Sequence, residues 1–432
     1  MLKTIKQNPL LKVISLNSIS VAVSFVLGII STKIISIYLG ASGMALLGSF
    51  RNFTSMMKSI ATLGINNSFI KVFVENKDNK NELGVIYSTF FWFFLFVSTG
   101  LGLLILVFAN VISEFLFFTN SFAYPIRFFG LLLPLIVINT FWMAIYNALE
   151  KYKKIVILQI VSNLLIFSLT TFLIVNNAIN GGLIAIALSE LVLVVVTFAF
   201  IIKDRSYFQF SLQKIIEKKY LDSIKRFSSM ALLSAILTPV TLLLIRNFII
   251  QTHSIQEAGI WDATNKFSSF YMLVFSSGLS LYYLPKLSSL KTEEEFKIEL
   301  KSYFGVFVPL FFIVIVLVFL LKGIILDIAF TKSFLKVKDV LIWQLLGDFL
   351  RIMTLAFGYQ IVVKARVKKY FILEIVFNVS YLVVSFYLIT LFSFQGAVMA
   401  YFVANLILFV LILFMFRKLF FISKLPNSDS QY

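Results

Sequence analysis

Apolar residues run along this chain in long unbroken blocks rather than as a helical stripe or an alternation. Residues 83–113 hold no charge, and residues 302–321 contain the block VFVPLFFIVIVLVFLL. Each block is long enough to cross about 30 Å of hydrocarbon as a helix, and the missing alternation argues against a transmembrane barrel. Hydropathy and loop signals predict twelve spans, over residues 12–38, 43–72, 83–109, 122–148, 153–176, 180–202, 222–251, 256–284, 302–322, 338–364, 369–392 and 396–416. Lys3 and Lys6 precede the first. It is longer than a signal-peptide core and has no A-x-A cleavage site, so it reads as a retained span. The expected fold is an all-α polytopic membrane protein.

Composition agrees: of 432 residues, 60% are hydrophobic and 13% charged, and there are 50 phenylalanines. That is more apolar surface than a water-facing domain could cover. There is no cysteine, which excludes disulfides, haem attachment and thiolate metal sites.

Twelve spans put both termini on one side. Of the 38 Lys and Arg, seven lie inside spans and four, Lys322, Lys332, Lys336 and Lys338, lie in the loops opposite the termini; the other 27 are on the termini's side. By the positive-inside rule that side is the cytoplasm. Much of the net charge of +18 is therefore topology charge facing anionic lipid, with no nucleic-acid partner expected.

The chain also repeats. KKIVILQIVSN (153–163) and KKYFILEIVFN (368–378) agree at seven of eleven positions with an offset of 215. That offset pairs Gly181 with Gly396, Ala185 with Ala400 and Arg51 with Lys266, while an offset of 213 pairs Lys33 with Arg246. Two six-helix halves are expected, residues 1–205 and 223–432, related by an axis along the membrane normal. A basic amphipathic linker, residues 206–222, should join them on the membrane surface.

Seven cations fall inside spans: Lys33, Arg51, Lys58, Arg127, Arg246, Lys266 and Arg351. Four acids accompany them: Glu190, Asp262, Asp348 and Glu374. Each costs about 2.5–3.5 kcal/mol near the bilayer centre, so they should face a polar interior. Arg127 is close enough to a span end to snorkel, and Glu374 reads as an interfacial partner of the Lys369 cluster. Asp262 with Lys266, and Asp348 with Arg351, have the spacing of intrahelical ion pairs, or they mark coupling sites. Lys33, Arg51, Lys58 and Arg246 have no acid at helical spacing in their own spans. Arg51 and Lys58 share a face, and under the repeat Lys33, Arg51, Arg246 and Lys266 should gather around one central cleft. Such a cleft expects an anion. Asp262, Asp348 and Glu190 are candidate ion-coupling acids.

Several chemistries are missing. There is no phosphate-binding G-x-x-x-x-G-K-[ST] loop and no metal motif, and the sole histidine, His253, falls in an outer loop. No cofactor is expected. Pro134, Pro239 and Pro309 interrupt spans as kinks or hinges.

The segments STKIISIYLGASGMALLGSFRNFTSMMKSIATLGINNSFIKVF (31–73), AGIWDATNKFSSFYMLVFSSGLSLYYLPKLSSL (258–290) and WQLLGDFLRIMTLAFGYQIVVKA (343–365) resemble Wzx-type flippases of O-antigen and enterobacterial common antigen synthesis. These form the polysaccharide-transporter branch of the multidrug/oligosaccharidyl-lipid/polysaccharide (MOP) exporter superfamily. The resemblance covers the whole chain and implies two six-helix bundles in a V around a central cavity lined by helices 1, 2, 7 and 8. The implied activity is movement of an undecaprenyl-pyrophosphate-linked oligosaccharide from the inner to the outer leaflet of the bacterial cytoplasmic membrane. It is a transporter and not an enzyme, driven by a proton or sodium gradient or by consumption of product, with the polysaccharide polymerase machinery as a candidate partner. Arg51 and the Gly347, Asp348 and Arg351 segment match family positions, although relatives often have Lys where Arg351 stands. The expected head-group cations are Arg51, Lys58, Lys266, Lys33, Arg246 and Arg351. The alternatives are a small-molecule exporter of the multidrug (MATE) type, which a cation-rich cleft disfavours, and a membrane glycosyltransferase.

Overall fold

The computed structural model describes residues 9–62, 65–204, 212–213, 216–417 and 419. All regular structure among them is helical. The elements in the first part of the chain are α1 (Pro9–Tyr38), α2 (Gly40–Thr62), α3 (Ile65–Glu75), α4 (Lys80–Val107), α5 (Ala109–Phe117), α6 (Ala123–Ala148) and α7 (Tyr152–Lys203). In the second part they are α8 (Lys218–Thr252), α9 (Ile255–Ser289), α10 (Glu293–Leu320), α11 (Lys322–Ala329), α12 (Val337–Val363), α13 (Val367–Phe392) and α14 (Phe394–Met415). Of the proposed linker, residues 206–211, 214 and 215 lie outside the described residues.

Nine helices among the described residues are long and apolar enough to span a bilayer. One of them, α7, has 52 residues and is broken at Ala178, where φ 46° and ψ −128° interrupt the helix; it is two spans, as the sequence predicts. The membrane-length segments outside the nine are α2 with α3, and α9. They are the ones carrying Arg51, Lys58, Asp262 and Lys266. The chain is an all-α, multi-pass membrane protein.

The offset of 215 recurs in the backbone. Ala178 and Ser393 share an unusual left-handed conformation (φ 46° and 54°), as do Glu150 and Ala365 (φ 55° and 49°). Three residues after each break comes a glycine whose Cβ would overlap a backbone carbonyl, that of Leu173 at Gly181 and that of Leu388 at Gly396. Only glycine lets the chain fold back so closely. α2 and α9 begin 215 residues apart, at Gly40 and Ile255.

The two parts of the chain meet at the end of the bundle away from the termini, where α1 turns into α2. α2 and α9 cross there so closely that a Cβ on Gly259 would overlap the carbonyl of Ala41, the small-residue contact that lets membrane helices approach. A reciprocal latch flanks the crossing. Lys33 of α1 donates to the carbonyls of Asp327, at 2.7 Å, and of Phe330. The Ser36 and Thr331 hydroxyls lie 2.9 Å apart. From the other direction, Asn247 of α8 donates to the Phe115 carbonyl of α5 at 2.9 Å. α1 thus grips the end of α11, and α8 grips α5.

At the opposite end, the residues leading into α8 are strapped to α4. Trp92 donates its indole N–H to the Gln213 carbonyl (2.9 Å), Ser88 and Thr89 accept from the backbone N–H groups of Gln213 and Glu217 (2.8 and 3.1 Å), and Tyr220 donates to Glu82.

Candidate functional site

α2 and α9 wall a cavity of about 270 Å³, and α1 and α8 supply its remaining sides. Arg51, Arg246, Lys266 and Asp262 line it, with Gly48 and Trp261 beside them. Arg246 is only 2% exposed and is clamped to Asp262 by two hydrogen bonds, Nε at 2.7 Å and Nη2 at 2.6 Å. Its guanidinium also lies 5.5 Å from the Trp261 ring. Planar, bidentate pairing of this kind is what makes a buried arginine tolerable. A Cβ on Gly48 would stand 2.7 Å from Asp262 Oδ2 and 3.0 Å from Arg246 Nη2, so the missing side chain at position 48 is what makes room for the pair.

This pairing corrects one reading of the sequence. Asp262 does not neutralise Lys266 one turn along its own helix; it is spent on Arg246 from α8. Arg51 and Lys266, partners under the repeat, consequently face the cavity with no carboxylate in ion-pair contact among the described residues. Lys266 lies 5.7 Å from the Phe270 ring. Three cations against one acid leave the cleft with a formal charge of +2.

Other expectations change as well. Lys58 is not an unpaired cation, because Glu190 of α7, 132 residues away, accepts from it at 2.8 and 3.0 Å. Lys33 does not line this cavity; it belongs to the far-end latch, where the carbonyls at the end of α11 complete its shell. Asp348 is not bonded to Arg351: its fully buried carboxylate accepts from Ser268 (2.6 Å), Tyr401 (2.8 Å) and Tyr271, hydroxyls on α9 and α14. Glu374 makes no ion pair with Lys369 among the described residues; it accepts from Asn378 at 3.4 Å and lines a second cavity together with Arg351. Arg127 is exposed and donates to Asn110 at 3.1 Å, and His253 is exposed, its Nε2 2.9 Å from the Ile389 carbonyl.

The second cavity, about 700 Å³, lies wholly among α8, α9, α12, α13 and α14. It adjoins the first through Leu242, Asn265 and Ser269, which line both. Sequence reading missed it, and missed Gly48, Trp261 and the Asp348 hydroxyl shell. Among the described residues no cluster of His, Cys, Asp and Glu could hold a metal.

Residues 38–339 match the family described as polysaccharide biosynthesis protein. Lipid III flippase from Escherichia coli K12 is 25% identical over 389 residues, covering 89% of this chain and 92% of that protein, and its Shigella flexneri counterpart matches equally. Among solved structures, the lipid II flippase MurJ in an inward closed conformation superposes with a TM-score of 0.76 at 16% identity, covering 93% of this chain and 87% of that one. A multidrug-resistance MATE transporter of the MOP superfamily, inward-facing, gives 0.68 at 15% identity, covering 93% and 96%. With a family match over most of its length, the chain belongs to the polysaccharide biosynthesis protein family, and its fold is like those of MurJ and the MATE transporter.

Proposed function

We propose that this protein is a flippase that carries an undecaprenyl-pyrophosphate-linked oligosaccharide across the bacterial cytoplasmic membrane, with its termini on the cytoplasmic side. The observation that carries this reading is the pair Arg51 and Lys266, two cations at repeat-equivalent positions lining one cleft, neither spent on a carboxylate. A pyrophosphate cannot cross hydrocarbon unaided, and guanidinium and ammonium groups are the side chains that replace its water. The lipid III flippase relatives support the substrate class. In this reading residues 1–205 and 223–432 rock as two units joined by residues 206–222. The cleft loads from the cytoplasmic side while the far-end latch is shut, and releases when the latch parts. A small-molecule exporter shares the fold, but a net positive cleft repels the organic cations such a transporter would carry.

In a strain whose own copy is deleted, Arg51→Ala and Lys266→Ala, expressed at native level, should each lower surface polysaccharide at least tenfold, and Arg51→Lys should recover part of it. Immunoblotting or staining of the extracted polysaccharide measures this. Wild-type amounts from both alanine variants would remove the head-group assignment.

A further inference from the structure

The repeat makes the two halves comparable residue by residue, and the comparison exposes one large difference. Under the offset of 215, Asn265, Ser268 and Gln344 of the second half correspond to Phe50, Phe53 and Phe129 of the first. In the first half the three phenylalanines are buried and pack on one another, with ring centroids 6.2–6.5 Å apart. In the second half the corresponding polar side chains line the cavity of about 700 Å³. Arg351 and Tyr401, also on its wall, correspond to Ile136 and Ile186. One half has been filled with aromatic rings where the other keeps a chamber whose largely apolar wall carries these polar groups.

The chamber has the chemistry of a carbohydrate site. Amides project from α9, α12, α13 and α14 (Asn265, Gln344, Asn378 and Asn405), and Tyr359 and Tyr370 add aromatic faces. Two of the amides are only 2% exposed and have an oxygen without a hydrogen-bond partner, Gln344 Oε1 and Asn378 Oδ1. Their amide nitrogens are engaged, Gln344 Nε2 with Asp348 at 3.4 Å and Asn378 Nδ2 with the Glu374 carbonyl at 2.9 Å. What is left over is therefore an acceptor on each, and a buried acceptor left unpaired costs free energy. Both oxygens are closed off from the cavity surface, so sugar hydroxyls would satisfy them only as the amides turn toward the chamber, and a volume of this size holds a short oligosaccharide. Because Asn265 and Ser269 line both cavities, a pyrophosphate between Arg51 and Lys266 would have its first sugar at the chamber mouth.

We infer that the second-half chamber is the oligosaccharide subsite, so that the substrate is held asymmetrically, with its glycan entirely in the C-terminal half and its pyrophosphate in the cleft between the halves. This rests on the flippase reading above. It specifies that the glycan is recognised in one half only, by hydroxyl and amide groups with the charged Arg351 and Glu374 on the same wall.

The test is binding of two probes to purified protein in detergent, undecaprenyl pyrophosphate and the same lipid carrying a disaccharide of N-acetylhexosamines, measured by native mass spectrometry. Wild-type protein should bind the glycosylated lipid at least tenfold more tightly. Gln344→Phe, which installs the first-half residue, should erase that preference while leaving affinity for the bare lipid within twofold. Gln344→Met and Asn378→Leu, which keep the volume with less risk to folding, should reduce the preference at least threefold. A full preference in folded Gln344→Met and Asn378→Leu proteins, or equal wild-type affinity for the two lipids, would overturn the chamber assignment. Binding of the bare lipid that depends on Arg51 would leave the flippase reading standing in either case, and failure of wild-type protein to bind either lipid would remove both.

Discussion

Arg246→Ala is expected to destabilise the protein by about 3–5 kcal/mol, because it strands the Asp262 carboxylate in a site built around its partner. Asp262 sits where Gly48 has no side chain, against a guanidinium that is 2% exposed, in the region where α2, α8 and α9 meet. With the arginine gone, the acid must protonate, admit water between those helices, or turn toward Arg51 or Lys266 and spend a cavity cation. Thermal unfolding in detergent should show the loss as a large fall in melting temperature. Replacing both partners, Arg246→Met with Asp262→Leu, should recover most of it, since an apolar pair of similar volume leaves no charge behind. An unchanged melting temperature in Arg246→Ala would mean that the pair does not hold the crossing together.

The second large effect concerns the far-end latch. Ser36 and Thr331 bring their hydroxyls within 2.9 Å across the two halves, and the chain has no cysteine of its own. The double variant Ser36→Cys with Thr331→Cys places two thiols close to the spacing a disulfide needs. Oxidation should then lock the latch and reduce transport at least tenfold, with dithiothreitol restoring it. Each single variant should transport normally under both conditions, because one hydroxyl pair is a small part of a latch that also includes Lys33 and Asn247. Undiminished transport by quantitatively cross-linked protein would show that this end does not open during the cycle.

Much of the architecture is legible in the sequence. Bilayer-length apolar runs locate the spans because lipid leaves a backbone few alternatives to the helix. The offset of 215 anticipates paired features as local as the breaks at Ala178 and Ser393. The charges were legible as a set, because cations so deep in a membrane must face something polar. Their partners were not. Lys58 finds Glu190 at a separation of 132 residues, and Arg246 finds Asp262 on the next helix rather than on its own. Helical spacing sees only neighbours on one helix, so it offered Asp262 to Lys266 and left Lys58 bare. Gly48 gave no signal, since a glycine that makes room for an ion pair looks like any other. The chamber in the second half did leave one: aligning Phe50, Phe53 and Phe129 with Asn265, Ser268 and Gln344 was possible from the repeat alone, but its meaning depends on knowing that these positions converge.

The most direct measurement of the central claim is translocation in a purified system. Protein reconstituted into vesicles holding undecaprenyl-pyrophosphate-linked oligosaccharide should make the inner-leaflet glycan accessible to a glycosidase added outside. Vesicles carrying the double variant Arg51→Ala with Lys266→Ala should do so at least a hundredfold more slowly. Glycan exposure by wild-type protein no faster than in protein-free vesicles, or exposure by the double variant at the wild-type rate, would contradict the account.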